Sequence, residues 1–277
     1  MTKIMRKLVL SLVITAFFAA LSFAQEASSV RKVPLEQPEI DRIVRKFTAN
    51  EGLFRRALAE YNFSRKAIVQ TIGMGGQVTG EFRRDSEMII PSSGARFEKI
   101  MYAPIPTLTE IQMTAEDLED LGGVNPFALE PSAIDKYNFN YVGKEHIDEL
   151  DLFVFDVTPR VIPDPKSGVR LFTGRVWVDD KDLMIVKTKG KAVPEWKNNR
   201  FPVVETYREN IDGKYWFPTY VYSDDVLDFE KGYSVHIRMK VTYTNYKLAH
   251  SDVRILDDEE PVTKPTPTPT PKKPDEQ

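Results

Sequence analysis

The run over residues 149–190, ELDLFVFDVTPRVIPDPKSGVRLFTGRVWVDDKDLMIVKTKG, constrains the fold of this chain more than any other stretch. It reads as three consecutive β-strands. Over 150–158 and 169–179 the residues are β-branched and aromatic and apolar positions occupy both parities, so both faces of these strands are expected to be covered. Pro163, Pro165 and Gly168 break the chain between them, and Asp179, Asp180, Lys181 and Asp182 turn it back into a third strand over 183–188. The result is an antiparallel meander. A four-residue turn pairs Val178 with Leu183 and Val176 with Ile185, and a slip of one residue would put Trp177 on their wall instead.

Further strands are predicted over 61–72, 77–90, 95–102, 107–113, 137–145, 201–209, 214–222 and 233–247. Gly73, Met74, Gly75 and Gly76 supply a hairpin turn; the Lys and the following helix of a phosphate-binding loop are missing there. Asp212-Gly213 is the strongest hairpin signal in the chain, because glycine takes the positive φ that a two-residue turn demands. In the last strand Tyr233, Val235, Ile237, Met239, Val241 and Tyr243 alternate with Ser234, His236, Arg238, Lys240, Thr242 and Thr244, which predicts one buried and one wet face. Helical spacing appears over 38–60, where Ile40, Ile43, Val44, Phe47, Phe54, Ala57, Leu58 and Tyr61 recur and Gly52 leaves open one long helix or two short ones. Thr114 is a candidate N-cap for a short helix over 115–121, and a second short helical or irregular piece covers 125–135. The fold class expected is α+β: a curled antiparallel sheet of about eleven strands with helices on its concave face.

The ends of the chain are of a different kind. Residues 1–24 have a basic start (Lys3, Arg6, Lys7), an apolar run over 8–21 and small residues Ser22 and Ala24 before a cleavage site, the pattern of a secretory signal peptide. Cleavage after Ala24 would place the protein in the periplasm, with 25–37 as a linker and 38–256 as the folded domain. Gln25 follows the cut, so a lipid-anchored N-terminus, which needs a cysteine there, is not expected. The chain has no cysteine and must be held by its core alone. Losing the signal removes three of 38 basic residues and no acid, which makes the net charge of −3 more negative and disfavours a nucleic-acid partner. Residues 257–277, rich in Thr-Pro repeats, are expected to remain an unpacked tail, a spacer or partner motif if they have a role.

The segment Leu-Phe-Val-Phe-Asp-Val-Thr-Pro, a loop, then Gly-Arg-Val-Trp-Val-Asp-Asp and Ile-Val-Lys resembles the second half of the LolA/LolB-like superfamily of periplasmic lipoprotein carriers. The resemblance extends over about 38–248 in the order of elements. It implies a half-barrel whose helices close over an apolar cavity, and an arginine inside the sheet that holds the helical lid shut. Arg65, Arg83, Arg84 and Arg96 lie in the first expected strands, and no motif singles one of them out.

For chemistry the chain offers little. His146 stands among Glu145, Asp148 and Glu149 at a spacing that fits no zinc pattern, and Asp179, Asp180 and Asp182 lack the glycine and distant glutamate of a calcium loop. No serine lies in a nucleophile elbow. The expectation is a non-enzymatic binding protein without a cofactor or metal. Its candidate cavity residues are Phe153, Phe155, Val176, Val178, Ile185, Ile237 and Met239, and its partners are lipid or lipoprotein acyl chains. The alternative is an envelope interaction module with a filled core, touching a protein partner through the tail or through two long loops. One loop covers 189–200 and carries Trp196; the other covers 223–232 and carries Val226, Leu227 and Phe229.

Overall fold

A computed structural model describes residues 30–91, 95–114, 117, 129–230 and 232–249. The proposed signal peptide, the 115–121 helix apart from Asp117, and the Thr-Pro tail lie outside the described residues. Among the described residues, the helix α1 (Gln37–Leu58) leads into ten strands: β1 (Tyr61–Ile72), β2 (Val78–Ile89), β3 (Phe97–Tyr102), β4 (Tyr137–Ile147), β5 (Leu150–Pro159), β6 (Leu171–Asp179), β7 (Ile185–Val193), β8 (Val204–Ile211), β9 (Tyr215–Asp228) and β10 (Ser234–Leu248). They form a single open, curled sheet in the order β3-β2-β1-β10-β9-β8-β7-β6-β5-β4, antiparallel at every pairing.

Ten strands, not eleven, follow from the fate of residues 107–113. Pro104 and Pro106 remove backbone donors just before them, and the chain there has no ladder of its own. It lies as a strap on the sheet instead, crossing β2 at Gly80. A Cβ at that glycine would meet the Thr107 carbonyl oxygen at 2.8 Å and the Leu108 Cα at 2.9 Å. Leu108, Ile111 and Met113 pack down from the strap. β3 and β4, the strands that flank this strap in sequence, are the two opposite edges of the sheet.

α1 is one continuous helix, since Gly52 is accommodated within it with Pro131 Cδ at an ordinary 3.7 Å from the position of its missing Cβ. Its apolar stripe faces the concave side. Ile43, Val44 and Phe47 pack on β4 to β7, while Phe54, Ala57 and Leu58 pack nearer β9, β10 and β1. A 3-10 turn, Pro131–Lys136, follows Leu129 beside the helix. Consecutive burial of Leu152, Phe153, Val154 and Phe155 bears out coverage of both faces of the central strands. Val154 and Leu152 join Trp177 and Val186 in an outer cluster, to which Val30 adds. From Val30 the chain wraps the sheet edge, exchanging two backbone hydrogen bonds between Arg31 and Lys144 of β4 (2.7 and 2.9 Å), and Leu35 then packs on the inner face.

The turns are mostly as read. Asp212 and Gly213 both take positive φ, 54° and 68°, the geometry of a two-residue hairpin that matches strand twist. The turn after β6 differs in register: Val178 pairs with Ile185, Trp177 with Lys187 and Val176 with Thr188, across a bulge. Leu183 at φ 56° belongs to the turn, whose backbone is held by Asp179 Oδ2 accepting from the Lys181 and Asp182 amides. The bulge keeps Val176, Val178 and Ile185 on the inner wall and Trp177 outside. Both loops expected to be long are shorter, because β7 runs on to Val193 and β9 to Asp228.

Candidate functional site

The concave face is the candidate site. Phe153, Phe155, Val176, Val178 and Ile185 come together in one cluster with Ile43, Val44 and Phe47 of α1, Val157 and Leu129. The Phe47 ring lies 5.6 Å from both Phe139 and Phe155, wedged between β4 and β5. Phe155, Val176 and Val178 have no exposed surface, so the helix is seated directly on the wall. Ile237 and Met239 are elsewhere on the same face. Ile237 joins Leu227 and Val235 in a cluster at the far end, and Met239 packs against the central cluster of Phe63, Phe82, Phe217 and Val241. Ile111 of the strap touches both.

The polar contacts that fix the cover are few and buried. Glu51 occupies an apolar-stripe position of α1, three residues before Phe54, and its carboxylate accepts from both terminal nitrogens of Arg208 on β8 at 2.6 and 3.1 Å. Neither side chain is exposed by more than 1%. Arg208 also donates to the Ile185 carbonyl at 3.3 Å and stacks on Phe54, 4.3 Å from the ring centroid. Next to it, the Asn50 amide donates to the Asp182 and Leu183 carbonyls at 3.0 and 2.9 Å. At the end of the helix the Arg96 guanidinium donates to the carbonyls of Leu58 and Tyr61, where the helix dipole favours a cation.

Arg208 was not among the arginines marked from the sequence. Arg208 turns inward by plain alternation, between exposed Tyr207 and exposed Glu209; the extra residue at the neighbouring irregularity, Thr219, belongs to β9. Glu51 carried the better signal: a carboxylate within a stripe of Val44, Phe47, Phe54 and Leu58 needs a buried partner. The other acids are structural or exposed. Asp182 Oδ1 accepts from the Met184 amide, His146 meets Asp151 across a hairpin at 3.0 Å, and His236 meets Asp224 between β10 and β9. Among the described residues no group of three or more His, Cys, Asp or Glu could hold a metal ion, and no helix is long and apolar enough to cross a membrane. Trp196 is 46% exposed in the loop after β7.

No family model matches the chain, and no curated protein matches it. Solved structures do. A LolA superfamily protein from Nitrosomonas europaea is 15% identical, with 73% of this chain and 93% of that one covered and a TM-score of 0.31. A DUF1329 family protein from Desulfovibrio piger is 15% identical over 76% and 95%, with a TM-score of 0.33. A candidate outer membrane lipoprotein-sorting protein domain from Vibrio parahaemolyticus is 15% identical over 72% and 91%, with a TM-score of 0.32. The first belongs to the superfamily that the central strands resemble. TM-scores of this size leave the fold to stand on its own strand order and the function on its own chemistry.

Proposed function

We propose that the chain is a non-enzymatic periplasmic carrier, exported and cleaved after Ala24, that shields lipid or lipoprotein acyl chains on the concave face of its sheet. One observation carries the reading. Apolar clusters on one face of the sheet extend from Phe139 on β4 to Phe82 on β2, interrupted at β8 by the Glu51–Arg208 pair, and among the described residues one helix and a strap cover them where a second sheet would otherwise be needed. Acyl chains laid on that surface gain roughly 0.8 kcal/mol per buried CH₂. The wall of Phe153, Phe155, Val176, Val178 and Ile185 lies under α1, so loading it requires the helix to lift. The Glu51–Arg208 pair suits such a cover, because a buried ion pair fixes geometry while adding little net stability over apolar packing.

The Phe47 wedge favours a second reading, an envelope interaction platform with a filled core and partner contacts at Trp196. Native mass spectrometry of the protein taken from its own envelope, together with titration of the neutral dye Nile red, separates the two. Co-purifying lipid and dye displaced by a phospholipid are expected. A lipid-free protein that binds no dye would overturn the carrier and leave the platform.

A further inference from the structure

Beyond the end of α1, the concave face changes character. Parity puts Arg65 of β1 inward, between Phe63 and Ala67, opposite Tyr243 on β10 and Ser86 on β2. Its side chain is 1% exposed. One terminal nitrogen donates to Ser86 Oγ at 3.3 Å and to Glu98 Oε1 at 2.5 Å; Nε and the other terminal nitrogen have no partner. Arg84, the next inward arginine on β2, reaches the second oxygen of the same Glu98 at 3.5 Å, and its Nε is also buried without a partner. Arg96 lies over Phe63, 5.0 Å from the centroid, with its Nε likewise unmatched. Arg65 and Arg84 thus share one described carboxylate, while Arg96 donates to the Leu58 and Tyr61 carbonyls. Around them stand Phe63, Phe82, Met88 and Tyr246, all in or against the central apolar cluster. Burial works against the charge of Arg65 and Arg96 and pushes the Tyr243 hydroxyl up to about 12, so the tyrosine beside Arg65 stays neutral and does not neutralise it.

Buried cations with unmatched donors are costly, and several such donors gathered at one place on an apolar face suit an anion. We propose that Arg65, Arg84 and Arg96 bind the anionic head, carboxylate or phosphate, of an amphiphile whose chain continues over Phe63, Phe82 and Met88. Planar guanidinium donors match both headgroups, and the surrounding rings supply the apolar track. The inference rests on the carrier reading and adds to it a ligand class: acyl chains that end in a negative charge.

Full-length protein loaded with Nile red is titrated with oleate, lysophosphatidate, oleyl alcohol and inorganic phosphate, each below its aggregation threshold. Either acid, or both, should displace the dye at concentrations about tenfold or more below oleyl alcohol, which is the difference expected from charge-assisted hydrogen bonds; phosphate alone should displace none. Arg65→Met should abolish the preference and Arg65→Lys should keep part of it. Arg84 is 20% exposed, so Arg84→Gln should fold even if the Arg65 variants do not, and it should cut the preference several-fold. Dye binding with oleyl alcohol equal to both acids would overturn the anion site and leave the carrier standing. Phosphate binding as tightly as oleate would reduce the cluster to a free-anion site. No dye binding at all would fall on the carrier reading itself.

Discussion

At the scale of single residues, Glu51 and Arg208 act as a unit. Glu51→Gln leaves a guanidinium buried without its charge partner and should cost about 3–5 kcal/mol in urea unfolding, and Arg208→Met should cost a similar amount. Replacing both by leucine should cost clearly less than the two single losses together; strict additivity would mean that the pair is not coupled. Glu205, on the outer face, behaves differently. Burial works to raise its carboxyl, but hydrogen bonds from Lys189 and Tyr207 and the charge of Lys187 outweigh this and hold it at about 2. A carboxyl lowered in the folded state contributes stability above its unfolded value near 4.5, and that contribution is lost as pH falls toward 2. Glu205→Gln should therefore lower stability at neutral pH, by under about 1 kcal/mol given its solvent screening, and make no difference near pH 2. Thermal unfolding from neutral to acid pH checks the sign.

Among the elements, β10 tests the assignment of faces. Ile237 is buried and Arg238 is exposed beside Asp224, so Ile237→Ala should cost roughly 2–5 kcal/mol and Arg238→Ala under about 1. Similar thermal midpoints for the two variants would contradict the register. The strap can be loosened without touching the helix. Gly80→Val would drive its side chain into Thr107 and Leu108, and limited proteolysis should then cut within 103–114 where the parent resists. The strands of the central meander and the Asp212-Gly213 turn were legible because alternation and turn chemistry are local signals. The strap was not: Leu108, Ile111 and Met113 are apolar because they lie on a sheet, and periodicity cannot tell that from lying within one. The pairing after β6 was hidden by a bulge, which leaves no mark in composition. Parity alone could not select the wall residues, because apolar side chains fill both parities of these strands; that helices would cover the concave face was expected, and α1 does so.

For the whole molecule, the carrier reading makes loading a displacement of the cover. Hydrogen exchange with bound phospholipid should rise at the amides of α1 while β5 and β6 remain protected, and unchanged α1 protection would put the ligand under the strap instead. The two margins of the sheet also differ. At β4 the backbone hydrogen bonds of Arg31 with Lys144 occupy the border, and Gly143 lies so close to Arg31 that a side chain there would strike its carbonyl. At β3 no described strand lies beyond, and Ile100, Met101 and Tyr102 are exposed. A molecule with one unblocked border can add a neighbour only once: two copies meeting through β3 would be related by a twofold axis and would use up the borders of both. Polymerisation needs a donor margin and an acceptor margin on every unit. The N-terminal wrap occupies one of them at Lys144, which disfavours growth through that part of β4.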